Sequence, residues 1–149
     1  MRLEEIRAFL AVEFEQVFGR ENGMTLEEAG DGVATVRLVP AWRHRRPGGI
    51  VSGPTLMMCA DAAAYAALLS LGETAKMAVT TNLSINFLRA APSDRALVTT
   101  CRILKNGKRL AVLECEAVAE GGEDGPVAHT VLTYSIPPAR DAATTGAVS

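Results

Sequence analysis

The sequence predicts an α+β fold in which a curved antiparallel β-sheet wraps around one long central helix. Three observations carry this prediction. Residues 54–71, PTLMMCADAAAYAALLSL, are apolar nearly all the way round and consist of good helix formers, so the helix must be buried on most sides. About four strand-like segments follow it consecutively, with no helices between them, which excludes alternating βαβ units. The pair Asn106-Gly107 between two of these segments is a strong short hairpin signal, and a hairpin makes its strands antiparallel.

Each element has its own local reason. Leu3, Ile6, Leu10, Phe14 and Val17 recur at spacings of three and four with charged residues on the other faces, which predicts an amphipathic helix over 3–18, ended by Gly19. Residues 24–28 and 33–39 are strand-like on either side of Gly30-Asp31-Gly32, so a hairpin is expected, closed by Pro40. The stretch AWRHRRPGGIVSGP is too rich in Arg, Gly and Pro to be regular over its length and reads as a loop leading into the central helix. Gly72 ends that helix. Strands are then expected over 77–88, over 96–120 with a break at Asn106-Gly107, and over 127–136, with a turn at 121–126. The tail, PPARDAATTGAVS, has little to bury and is expected to be disordered. These elements predict one domain over 1–136.

Composition limits the function. With 149 residues, 48% apolar and 21% charged, and a formal net charge of -2, the chain suits neither a disordered protein nor a nucleic-acid binder driven by charge. Its N-terminus carries acidic residues and no small-residue cleavage site, so a cytoplasmic location is expected. The apolar stretch 54–71 is short for a membrane span and holds Asp61 near its middle, which lipid would penalise, so no membrane role is expected. Cys59, Cys101 and Cys115 show no metal-ligand spacing and are read as reduced core thiols. His44 and His129 stand apart from each other and from carboxylates at ligand spacing, so neither a metal nor another cofactor is expected. There is no phosphate-cradling loop and no G-x-S-x-G elbow.

Asp61 is the only carboxylate between Leu56 and Gly72, on a helix that otherwise asks for burial. Apolar surroundings make a carboxylate readier to take a proton, as a general base must, although a plain surface Asp or one satisfied by Tyr65 a turn later would read the same way. At the helix entry Ser52 is a capping residue, Gly53 allows close approach and Pro54 suits the first turn. Such a terminus can hold a developing oxyanion or simply cap the helix. Gly53 and Asp61 are eight residues apart, about 12 Å along one helix, so they cannot both touch one carbonyl carbon. If both act in one site, a second subunit must supply one of them, and the catalytic unit is a dimer. Along the strand after the helix, alternation places Thr80, Asn82, Ser84 and Asn86 on one face and Thr81, Leu83, Ile85 and Phe87 on the other. One of the two threonines therefore faces the helix. Arg43, Arg45, Arg46, Arg89, Lys105, Lys108 and Arg109 are candidates for meeting phosphates.

The runs GIVSGPTL, then ADAA, then TTNLSINFLR resemble the hotdog-fold acyl-CoA thioesterases of the phenylacetic-acid-degradation type, over about residues 24–136. The resemblance implies a hotdog fold and hydrolysis of acyl-coenzyme A by a homo-oligomer, a dimer or a dimer of dimers. It implies that Asp61 activates or orients water, that the Gly53 N–H polarises the carbonyl, and that Thr80 or Thr81 helps hold the water. Arg46, Ser52, Pro54, Asn82 and Arg89 are the expected substrate contacts. The family's His-Gly-Gly reads Ser52-Gly53-Pro54 here, and its loop asparagine is replaced near Arg46. Two other activities fit the same fold: acyl-thioester binding without turnover, and hydration or dehydration of an acyl thioester.

Overall fold

In a computed structural model, which describes residues 1–138, the predicted helix and sheet are assembled as one layer curled around another. The N-terminal helix is α1 (Leu3–Glu13), followed by the short α2 (Glu15–Phe18). An unbroken helix over 3–18 is therefore corrected to two pieces. Phe14 leaves helical geometry at the junction, and its ring meets Phe18 and Tyr65 edge-on at 6.1 and 6.0 Å. Packing against the central helix outweighs the last turn's hydrogen bonds.

The hairpin β1 (Met24–Gly30) and β2 (Val33–Leu38) forms as expected, with Asp31 and Gly32 at positive φ in its turn. The loop that follows contains more order than its composition suggests. A 3-10 turn at Trp42–His44 leads into a miniature hairpin of β3 (Arg45–Arg46) and β4 (Ile50–Val51), joined through Gly48 and Gly49, both at positive φ. The central helix α3 (Gly53–Leu69) begins one residue earlier and ends two residues sooner than predicted. Ser70 is its C-cap, still in helical geometry, with its hydroxyl donating to the Ala67 carbonyl and accepting the Gly32 N–H, and the chain turns away at Gly72, which is at positive φ.

Four strands complete the sheet: β5 (Val79–Phe87), β6 (Leu97–Asn106), β7 (Leu110–Ala119) and β8 (Ala128–Ser135). The order is β1-β2-β6-β7-β8-β5, antiparallel throughout, so β1 and β5 are the edges. Against its concave face lies α3, with Leu56, Cys59, Leu68, Leu69 and the alanines 60, 62, 63, 64, 66 and 67 buried. The alanines let the sheet approach the helix backbone, and the all-round burial accounts for a helix with no polar stripe. Ile6 and Leu10 of α1, both fully buried, close the core beside it.

Two expectations change here. Cys101 and Cys115 are register partners on β6 and β7, with Cα atoms 4.1 Å apart, and are joined in a disulfide rather than standing as reduced thiols. Strand pairing alone brought them together, since fourteen residues separate them in the chain. Only Cys59 remains free, and burial pushes its thiol up to about 12. The expected disordered tail lies outside the described residues from 139 onward. No helix of the described residues is long and apolar enough to cross a membrane, and they contain no cluster of His, Cys, Asp or Glu able to hold a metal ion.

Candidate active site

Ser52 caps α3: its hydroxyl oxygen accepts the Thr55 N–H at 3.3 Å and lies 2.7 Å from the Thr55 hydroxyl. Its own N–H donates to the His44 carbonyl at 2.8 Å. Pro54 has no N–H to offer, and the Leu56 N–H already donates to the Ser52 carbonyl. Cap and proline thus leave the Gly53 N–H as the one first-turn donor without a protein acceptor among the described residues, at the positive end of the helix dipole. Space there is tight: a Cβ on Gly53 would come within 3.2 Å of the Phe87 ring, which would have to give way.

Two turns further along, Asp61 is partly exposed and faces the end of β5. The Thr80 hydroxyl donates to Asp61 Oδ1 at 2.5 Å, and the Tyr134 hydroxyl donates to the same oxygen at 2.7 Å while lying 3.0 Å from the Asp61 carbonyl. Both donors hold one oxygen. Oδ2 is left without a protein partner among the described residues, so the carboxylate has a fixed plane and one free acceptor. Burial, reinforced by the negative charge of Asp61, pushes the Tyr134 phenol far above its ordinary range, so it remains a donor at any working pH.

A β-bulge sets which threonine does this. Pairing of β5 with β8 runs Thr80↔Tyr134 and then Asn82↔Thr133, so Thr81 is the extra residue. The bulge reverses the expected alternation: Thr80 shares the inner face with Leu83 and Ile85, not with Asn82 and Ser84. Thr81 instead donates to the Thr133 carbonyl at 3.2 Å. Asn82, paired with Thr133, lies on the face of β5 opposite to Thr80 and is exposed. Tyr65, the alternative partner for Asp61, does not bond it. Its hydroxyl donates to the Lys76 carbonyl at 2.6 Å, while its ring packs against Phe9 and Phe14.

A cavity of about 320 Å³ opens beside Asp61, walled by Phe9, Phe14, Tyr65, Val79, Thr80 and Tyr134. A larger open groove of about 920 Å³ runs along α1 and α2, and of the cations expected to meet phosphates it is lined by Arg43. Arg46 is exposed on β3, opposite Ile50 and close in sequence to the helix entry. Arg89 donates to the Pro126 carbonyl at 2.7 Å and stays exposed. Sequence reasoning passed over Tyr134, whose signal was available: on an alternating strand it shares a face with Thr130 and Leu132, which are apolar-side positions. It also passed over His44, whose carbonyl receives the helix entry.

The profile of the Thioesterase superfamily matches residues 48–126, which include both ends of this arrangement. A protein of Silicibacter sp. TM1040, provisionally named a thioesterase, is 40% identical, with 93% of each chain covered and a TM-score of 0.82. A Streptococcus pneumoniae protein crystallised with coenzyme A and named a hypothetical thioesterase is 22% identical, covering 89% of this chain and 99% of that one, at a TM-score of 0.76. The Escherichia coli PaaI protein of the phenylacetic acid degradation operon has the same fold, at 21% identity, 91% and 96% coverage and a TM-score of 0.75. No curated protein matches the sequence. Sheet topology, profile and a 40% identical relative over nearly the whole chain agree: this chain belongs to the Thioesterase superfamily, has the hotdog fold, and is a thioester hydrolase.

Proposed function

We propose that the protein hydrolyses acyl-coenzyme A thioesters in a homodimer, with the two halves of each site on different subunits. The observation that carries this reading is the orientation of Asp61: Thr80 and Tyr134 both occupy Oδ1, which leaves Oδ2 to accept a proton. In the reaction, Asp61 Oδ2 takes a proton from water as the water oxygen attacks the thioester carbonyl carbon. Thr80 accepts a hydrogen bond from that water while donating to Asp61. Negative charge then grows on the carbonyl oxygen, where the partner's Gly53 N–H and the partner's helix dipole stabilise it. Collapse breaks the C–S bond, and the proton held by Asp61 passes to the leaving thiolate.

Strand geometry favours the two-subunit site. Edge strand β5 exposes Val79 and Phe87 at its two ends and Leu88 just beyond. Its Thr80 end lies at Asp61, and its Phe87 end lies against Gly53. When two copies of β5 pair antiparallel about a two-fold axis, the Phe87 end of one meets the Thr80 end of the other. That arrangement brings the partner's Gly53 toward Asp61, which the 12 Å separation on one helix, roughly, forbids within a subunit. Pairing also covers an otherwise open sheet edge. The phosphate-bearing part of coenzyme A then meets exposed cations such as Arg46 and Arg89, with Ser52 and Pro54 beside the carbonyl; coenzyme A in the pneumococcal relative agrees with this substrate class.

Release of free thiol from short, medium, long and aromatic acyl-CoAs tests the proposal, with Asp61→Asn compared under identical conditions. Loss of a general base lowers kcat by about 10² to 10⁴-fold. Turnover by the intact protein that survives Asp61→Asn, or an active species that is monomeric by light scattering, overturns the reading.

A further inference from the structure

The loop before α3 contains a buried histidine that the reaction scheme leaves unused. His44 is 4% exposed, and both of its ring nitrogens are engaged. Nδ1 accepts the Ala41 N–H at 2.8 Å, so it carries no proton. Nε2 must then hold the ring hydrogen, and it donates to Asn22 Oδ1 at 3.0 Å. Asn22 is itself buried, and its amide donates to the Val17 carbonyl at 2.7 Å, with Arg43 also reaching its oxygen. The imidazole is therefore tied to α2 and the turn after it, across twenty-two residues of chain.

The backbone of the same residue faces the other way. The His44 carbonyl accepts the Ser52 N–H at 2.8 Å and lies 3.4 Å from the Thr55 hydroxyl. Ser52 is the N-cap of α3 and Thr55 the residue whose N–H it receives, and Gly53 stands between them. A side chain held in two directions fixes the backbone it hangs from, and that backbone holds the helix entry on both sides of the one free donor. The neutral tautomer matters as well: burial, followed by the charge of Arg43, pushes the imidazole below its ordinary range and keeps Nδ1 an acceptor.

We propose that His44 is a positioning residue which, anchored by Asn22, sets the place of the Gly53 N–H and thereby ties oxyanion stabilisation to the N-terminal helical segment. The proposal rests on the reading of Gly53 given above. It makes the N-terminal segment part of the catalytic apparatus at the helix entry as well as a wall of the cavity beside Asp61.

Two substitutions cut the same link from opposite sides. His44→Asn keeps an oxygen near the place of Nδ1 but does not reach Asn22, and Asn22→Leu removes the anchor itself. In folded dimers of the full chain, each should lower kcat on the best acyl-CoA on the order of ten- to a hundredfold, with KM within about twofold, because a misplaced oxyanion donor acts in the transition state. The double variant should be no worse than Asn22→Leu alone, since both remove one connection. His44→Gln, which keeps a donor for Asn22, should recover much of the loss. In ¹H–¹⁵N spectra the Ser52, Gly53 and Thr55 amides should shift in His44→Asn while those around Tyr65 stay in place. An unchanged kcat in His44→Asn, additive losses in the double variant, or unmoved helix-entry amides overturns the proposal. Should one of the two variants fail to fold, the other carries the same test, with the kcat loss and the shifted helix-entry amides expected and an unchanged kcat overturning the proposal. An intact protein that turns over no thioester instead sinks the function proposed for the site, and the amide shifts then decide separately whether His44 holds the helix entry.

Discussion

The two ends of the first half of α3 solve one problem by different means. At its entry the chemistry is backbone: a single N–H at Gly53, isolated by the Ser52 cap and the missing donor of Pro54 and held by buried neighbours. At Asp61 it is side chain: a carboxylate oriented by hydroxyls from β5 and β8, beside an open cavity. The backbone donor is left free by local sequence, because cap and proline act within one turn. Side-chain acceptors need strands delivered from far along the chain. Substitutions of the cap itself should therefore act mainly on stability, and those at the Asp61 end mainly on turnover.

The sharpest way to break that contrast is Asp61→Asn, whose expected loss of about 10² to 10⁴-fold in kcat should come with little change in Tm. Next come its partners. Tyr134→Phe and Thr80→Val should each cost on the order of tenfold in kcat, since a hydrogen bond to a charged group contributes roughly 1.5–3 kcal/mol. Thr81→Val, which alters a hydroxyl bonded only to the Thr133 carbonyl, should leave kcat within about twofold by the same reasoning. Steady-state kinetics on the four proteins decides it, and equal losses at Thr80 and Thr81 would move the bulge. At the entry, Ser52→Ala should lower unfolding free energy by about 0.5–2 kcal/mol in denaturant titration, the usual cost of losing an N-cap.

Acid should expose the entry as well. The folded-state pKa of His44 lies below the ordinary imidazole value of 6.5, so the neutral ring stabilises the fold fully above that value. The contribution is lost as pH falls through the lowered folded value, where protonation breaks the bond from the Ala41 N–H. Denaturation midpoints measured between pH 8 and pH 5, about the range in which histidine titrates, should fall toward acid less in His44→Asn than in the parent protein. The smallest effect expected is at Cys59, whose thiol at about 12 and complete burial should leave it unalkylated at pH 8, roughly, for as long as the protein stays folded. Mass spectrometry after iodoacetamide treatment reads this directly.

Much of this molecule is legible in its sequence where interactions are local. The apolar circumference of α3, the hairpin signal at Asn106-Gly107 and the capping run Ser52-Gly53-Pro54 each act over a few residues, so the helix, the antiparallel order and the helix entry could be read directly. Asn106 itself ends β6, and the turn closes between Gly107 and Leu110. The same holds for Asp61 as a candidate, because a lone carboxylate on an apolar helix is a local contradiction. What surrounds it is not local. A one-residue bulge opposite Tyr134 reversed the faces of Thr80 and Thr81, and bulges depend on pairing with a strand fifty residues away, roughly, on which the period of two is silent. Register likewise joined Cys101 to Cys115 and gave Asp61 the hydroxyl of Tyr134, while the packing of two 3-10 turns set buried His44 against Asn22. Sequence by itself determined which elements form and which residues stand out as candidates for chemistry, since helix periodicity, capping and turn formation are short-range. Tertiary structure alone decided which of those residues meet, because strand register and burial are settled by the packing of the whole sheet around α3.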